Sequence, residues 1–169
     1  MNHMEVISMY TFEFLKEHEL SNVIDIISQR IQWMDEKGMK QWNQGDYLSF
    51  YSSDYFLKHL QKQEILGMKE DGQIIGIVGF FHDDERWDHD DAYMYLHHLA
   101  TLPSYHGVGA LFVKACEDIA KQMGKRGIRL DCQKGNDAIH RFYDDMGYIS
   151  KGEFTSGEYI GIRKEKLLG

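Results

Sequence analysis

Residues 97–124 read HHLATLPSYHGVGALFVKACEDIAKQMG, and the change of period inside this stretch decides the fold. It enters as a strand, Tyr93 to Thr101, breaks at Pro103 and turns through Gly107 and Gly109. From there the apolar residues fall at Val108, Leu111, Phe112, Ala115, Cys116, Ile119, Ala120 and Met123, which is the stripe of an amphipathic helix. Gly124 stands where a C-terminal cap belongs. The two glycines therefore occupy the first helical turn, where backbone N–H groups lack helical partners and the dipole is positive. A strand leading through small residues into a helix N-terminus is a ready anion site, and glycine lets a ligand approach the backbone closely. The same pattern also serves as a plain tight turn. Two nucleotide motifs are excluded: no Gly-Lys-Ser/Thr is present, and the third glycine of a dinucleotide fingerprint is missing.

Outward from this centre, the chain of 169 residues reads as one domain over 1–169, with a single proline and no linker. No apolar run reaches the ~18 residues of a membrane span, and no signal peptide is expected, so the expectation is a cytoplasmic protein without a membrane partner. A formal charge of −8 argues against nucleic acid. Cys116 and Cys132 lack metal-ligand spacing and read as small core residues.

On the N-terminal side, Met4–Tyr10 reads as a first strand, and Ser21 as the N-cap of a helix from Asn22 to about Lys37, ended by Gly38. Ser52 or Ser53 caps a short second helix through about Leu60. Trp33, Met34 and Trp42 would wall a substrate pocket or pack on the sheet. Asp71-Gly72 between two strand-like runs is the strongest short-range hairpin signal, and its second strand, IIGIVGFF, is apolar enough to be central. The acidic run Asp83–Asp91 reads as a mobile, solvated connection rather than a metal site, with Trp87 a further substrate-side candidate. On the C-terminal side, Ile128–Cys132 is a short buried strand, Asn136 opens a helix with Ile139, Phe142, Tyr143 and Met146 on one face, and Gly147 ends it. Tyr148–Lys151 and Glu158–Arg163 follow as an antiparallel pair. A parallel crossover joins the strand ending at Thr101 to the one starting at Ile128.

With these residues in place, the chain resembles the GCN5-related N-acetyltransferases. Ser104-Tyr105-His106-Gly107-Val108-Gly109-Ala110 stands at the family's Gln/Arg-x-x-Gly-x-Gly/Ala loop, and RLDCQKGNDAIHRFYDDMGY resembles its next strand and helix. The chain departs from the pattern in carrying Ser104 at the Gln/Arg position, in a loop about two residues shorter than usual. A second register would place His106-Gly107 on the Gln/Arg-Gly, but it sets Leu111 where the last glycine belongs. The resemblance implies a mixed α/β fold: a mostly antiparallel sheet of six to seven strands, parallel at strands four and five, with about four helices. It implies acetyl-CoA as co-substrate, with the acetyl oxygen and pantetheine on the backbone of Leu99, Ala100 and Thr101. The diphosphate would lie on His106, Gly107, Val108, Gly109, Ala110 and Leu111, and Asn136 would touch the CoA arm, although asparagine there is equally a helix cap. Tyr143 matches the tyrosine that protonates the departing thiolate. Arylalkylamine acetyltransferases place a histidine where His97 stands; as a strand residue sharing a face with Tyr95, Leu99 and Thr101, His97 is the candidate base. The expected acceptor is a primary amine of a small molecule. A non-catalytic acyl-CoA-binding module, a protein or peptide acetyltransferase, and a homodimer through the C-terminal strands stay open as alternatives.

Overall fold

The computed structural model describes residues 9–39, 42–43 and 45–169. The expected strand Met4–Tyr10 falls almost wholly outside them; the first described strand, β1, is Tyr10–Phe14. A 3₁₀ turn at Glu17–Glu19 runs into α1, Leu20–Glu36. This start corrects the expected Ser21 cap. The Lys16 N–H donates to the Glu19 carboxylate at 2.8 Å, and Glu19 takes Lys69 Nζ at 2.9 Å, so the turn before Ser21 sets the helix origin and Ser21 lies inside it. At the other end Gly38, with φ 67°, stops the helix as expected, and the Met39 N–H turns back to the Met34 carbonyl at 2.9 Å.

A helix the sequence did not announce, α2, spans Tyr47–Phe50 and is capped by Asp46, which accepts from the Ser49 N–H at 3.2 Å. Its four residues are too few to show a period. Next, α3, Ser53–Gln61, is capped by Ser52, which accepts from the Tyr55 N–H. Strands β2, Ile65–Glu70, and β3, Gln73–Phe81, form the expected hairpin with Glu70 opposite Gln73. Positive φ at both Asp71 (50°) and Gly72 (81°) gives the turn that fits strand twist. From Ile75 to Phe81 every residue of β3 is buried. Strand β4 is Tyr93–Thr101, α4 is Val108–Gln122, and Gly124 (φ 76°) follows the helix. Then come β5, Gly127–Gln133; α5, Asp137–Asp145; β6, Ile149–Ser156; and β7, Tyr159–Leu167.

Among the described residues the strands follow the order β1-β2-β3-β4-β5-β7-β6 in a seven-stranded sheet. β4 and β5 are parallel, with Tyr93–Tyr95 opposite Gly127–Arg129, while β1·β2, β2·β3, β5·β7 and β6·β7 are antiparallel. The mixed α/β fold is as expected, with five α-helices among the described residues in place of about four. By contact density the chain forms two compact units, one of residues up to Gly79 with His98–Phe112, the other Phe80–His97 with Val113–Gly169. No helix among the described residues is long and apolar enough to cross a membrane.

The stripe of α4 is rotated from its reading. Leu111 and Met123 are exposed, while Val108, Phe112, Val113, Cys116, Glu117 and Ala120 form the buried face. The cause is Glu117, a charge that periodicity alone assigns to water. Its carboxylate accepts from the Tyr148 hydroxyl at 3.1 Å and from Lys166 Nζ at 2.8 Å, so it is paired inside. Both cysteines are buried, as expected.

Candidate active site

In the first unit, the end of β4 and the turn after it are fixed from three directions. The Arg30 guanidinium, on α1, donates to the Thr101 carbonyl at 2.6 and 3.1 Å and to its hydroxyl at 3.0 Å. The Leu102 N–H donates to the Ile75 carbonyl at 2.8 Å. The Tyr105 hydroxyl donates to Glu70 at 3.1 Å. Beyond Tyr105 the chain turns at Gly107, whose φ of 77° is left-handed, and Val108 begins α4. The open space where a Cβ would stand at Gly107 shows that backbone conformation requires the glycine here. Gly109 lies within the first turn of the helix. The amides of His106 to Leu111 are thus gathered at the start of a 15-residue helix, the arrangement that favours an anion.

Strict alternation along β4 fails at His98. Its φ is 56°, and its ring is buried against Tyr51 and Phe56. The Tyr47 hydroxyl bonds Nδ1, and the Tyr55 hydroxyl meets Nε2 at 2.9 Å. These bonds, from α2 and α3, hold the ring in a conformation that a strand alone would not choose. Trp42 stacks on Tyr47 at 4.8 Å and lines a cavity of about 370 Å³ with Asp35 and Asp46. Trp33 lies under the Arg30 guanidinium at 4.7 Å.

In the second unit, His97 points its Nε2 at the Asp84 carboxylate, 2.8 Å away. Asp83, Glu85, Asp88, His89 and Asp91 are exposed, as expected of a solvated run, and the expectation is corrected at Asp84. The Asp84 side chain is 2% exposed, Trp87 stacks with Arg129 at 4.6 Å, and Arg86 reaches Asp131 at 3.2 Å. Burial pushes the Asp84 carboxyl up, but the His97 hydrogen bond and charge, with the Arg86 N–H, outweigh it and hold the group below the usual range. One ligand atom each of Asp84, His97 and Asp131 lies within 4.8 Å of the others. Arg86 already supplies the positive charge there, and the Tyr159 hydroxyl donates to Asp131 at 2.7 Å. Asn136 caps α5 by accepting from the Ile139 N–H at 3.3 Å. Tyr143 is buried, its ring packed edge-on against Phe142 and Tyr148. Burial, then the neighbouring Cys132, Cys116 and Asp131, push its phenol well above the ordinary value.

This order of strand, glycine turn and helix, followed by a strand and a tyrosine-bearing helix, has a counterpart among known proteins. The model of the acetyltransferase (GNAT) family matches residues 28–148. The chain belongs to the GNAT acetyltransferase family. A GNAT relative, the uncharacterized N-acetyltransferase YesJ of Bacillus subtilis, is 26% identical over 151 residues, covering 84% of this chain and 83% of that one. Among solved structures, a GNAT-family acetyltransferase of Listeria monocytogenes superposes with a TM-score of 0.75 at 20% identity, covering 93% of this chain and 95% of that one. The PaiA N-acetyltransferase of Thermoplasma acidophilum, solved in complex with coenzyme A, gives 0.71 at 19% identity, covering 93% and 99%.

Sequence reading missed Arg30, Asp84 and the Tyr47–His98–Tyr55 set in this GNAT chain. Arg30 carried one available signal, a cation amid the apolar residues Ile27, Ile31 and Met34 of α1. Asp84 carried none, standing among acidic neighbours that are exposed.

Proposed function

We propose that this GNAT chain transfers the acetyl group of acetyl-CoA to the primary amine of a small molecule by direct attack, in the cytoplasm. The observation that carries the reading is the left-handed turn at Gly107, which opens α4 directly after a strand end held by Arg30. In this reading the diphosphate lies on the amides of His106, Gly107, Val108, Gly109, Ala110 and Leu111. The backbone of Leu99, Ala100 and Thr101 takes the thioester oxygen and the pantetheine arm. Asn136 adds a contact to that arm while its side chain caps α5. His97 removes a proton from the amine and Tyr143 returns one to the leaving thiolate. Burial pushes the Tyr143 phenol up, so it holds its proton until the thiolate leaves.

The acceptor side rests on the cavity beside Trp42 and Tyr47. Aromatic faces with the carboxylates of Asp35 and Asp46 favour a cation, which a primary amine is before it reacts. Trp33 and Trp87, the other two substrate-side candidates, lie against the guanidinium groups of Arg30 and Arg129 at 4.7 and 4.6 Å. One observation favours a second reading, a non-catalytic acyl-CoA-binding module: Ser104 replaces the long polar side chain of the family loop.

Calorimetric titration with acetyl-CoA, followed by thiol-release assays over a panel of amines, separates the two. Micromolar binding with turnover on an amine is expected. Binding with no turnover on small amines or peptides supports the module, and no binding at millimolar ligand removes both. Gly107→Val tests the turn itself. A β-branched residue at φ 77° costs about 1–2 kcal/mol or displaces the amides, so the CoA dissociation constant rises about tenfold or more. Pantetheine, which has no diphosphate, should bind the variant as it binds the parent. An equal loss for both ligands would remove the diphosphate assignment.

A further inference from the structure

We propose that His98 is a positioning residue for the reaction: its left-handed backbone, locked by the Tyr47 and Tyr55 hydroxyls, holds the amides of Leu99, Ala100 and Thr101 where the thioester oxygen and the pantetheine arm are received. The inference deepens the reading of that strand end as the acetyl-CoA site and rests on it. Three non-glycine residues among the described ones have a left-handed φ: Gln63, Asp71 and His98. Gln63 and Asp71 lie in turns, and His98 alone lies within a strand. An L-residue is strained there, because its Cβ crowds the following carbonyl oxygen. Such strain persists only where the surrounding groups hold it. In a strand, a left-handed residue is one form of bulge, which interrupts the ladder and leaves peptide groups unpaired.

The groups that hold it are gathered around the ring. His98 is buried, and both its nitrogens are bonded: the Tyr47 hydroxyl meets Nδ1, and the Tyr55 hydroxyl meets Nε2 at 2.9 Å. A neutral imidazole donates from one nitrogen and accepts at the other, and a phenol hydroxyl answers either need. The rings of Tyr51 and Phe56 meet it edge-on at 4.6 and 5.2 Å. Turning the ring out would therefore unpair buried polar atoms. The tyrosines are anchored in turn. Asp46 and Ser52 cap the helices that carry them, and Tyr47 stacks on Trp42 at 4.8 Å. Downstream, the Thr101 carbonyl is taken by Arg30 and the Leu102 N–H by the Ile75 carbonyl. The segment Leu99–Thr101 is thus pinned at both ends. A residue that only filled the core would need neither a left-handed backbone nor two hydroxyl partners.

His98→Gly set against His98→Ala is the discriminating pair. Both remove the ring and its bonds. Glycine takes a φ of 56° with no Cβ to clash, whereas alanine is driven back toward the extended region and moves the amides with it. Thiol release under saturating substrates gives kcat, corrected to the folded fraction read by circular dichroism. In His98→Ala kcat should fall about 100-fold, the effect of losing one preorganised oxyanion donor. His98→Gly should turn over roughly tenfold faster than His98→Ala, and its Tm should be the higher of the two. Tyr55→Phe keeps the ring contacts and loses the hydroxyl at Nε2; it should fold, with kcat reduced about tenfold.

A kcat in His98→Ala equal to or above that of His98→Gly overturns the inference, since a ring that only fills the core is lost equally from both and glycine adds chain freedom. So does an undiminished kcat in Tyr55→Phe, which decides the matter if neither His98 variant folds. If the parent protein releases no thiol with any amine, the reading of the site falls and the role of His98 in the reaction falls with it. The Tm of His98→Gly against His98→Ala then still reports whether the strand is held left-handed at this residue.

Discussion

Tyr143→Phe is expected to lower kcat about 100-fold or more and to leave acetyl-CoA affinity within about twofold. The tyrosine is 5% exposed, and its ring meets Phe142 at 4.9 Å and Tyr148 at 5.4 Å in edge-on contacts that a phenyl group reproduces. What the substitution removes is one hydroxyl. The sign of the pKa effect gives that hydroxyl its role. Burial, foremost, destabilises the phenolate, and the nearby Cys132, Cys116 and Asp131 add to it, so the group stays protonated throughout the working pH range. In the proposed reaction such a group could give a proton but could not act as a base. Thiol release under saturating substrates measures kcat, and calorimetry measures binding. An unchanged kcat would end the proton-donor role, whereas a parallel loss of binding would mean that Tyr143 holds the cofactor rather than protonating it.

Phe112→Ala destabilises the protein by about 3–5 kcal/mol, the usual cost of emptying a buried phenylalanine site. For a chain of this size that corresponds to a fall in Tm of roughly 10 °C. Phe112 is fully buried one turn into α4, with the Phe12 ring 5.7 Å away. Gly76 on β3 makes room for it: a Cβ there would come within 3.0 Å of the Phe112 ring and 3.2 Å of the Thr101 methyl. The residue therefore joins the glycine-turn helix to the strands that carry Thr101. Thermal unfolding followed by circular dichroism tests this. A loss below about 1 kcal/mol would mean that the first turn of α4 is held by something other than this contact. In the folded fraction, CoA binding should weaken as the amides at the helix start lose their fixed place.

Local signals in the chain were legible because their causes are local. The Asp71-Gly72 hairpin, the glycines after α1, α4 and α5, the continuous apolar run of β3 and the Asn136 cap each express a backbone need met within a few residues. The turn at Gly107 was legible for the same reason, and together with the 129–148 stretch it carried the resemblance to the family. Readings that leaned on strict periodicity failed where a distant partner intervened. Glu117 is buried because Tyr148 and Lys166 come to it. His98 leaves strand geometry because Tyr47 and Tyr55 bind both its ring nitrogens.

By itself, then, the sequence determined the order of the elements from α3 onward, the hairpin, the parallel crossover and the strand–turn–helix that invites an anion. Tertiary structure alone decided which side chains act on one another. It brought Arg30 to Thr101 across the chain, set Asp84 rather than any of its acidic neighbours against His97, and split the tryptophans between a cavity wall and two arginine stacks. The physical reason is one of range. Turns, caps and periodicity follow from dihedral preferences and neighbouring hydrogen bonds, which depend on nearby residues. Burial of a charge depends on whether packing delivers a partner to it, and in a row of similar acidic residues no local signal marks the one that will be met.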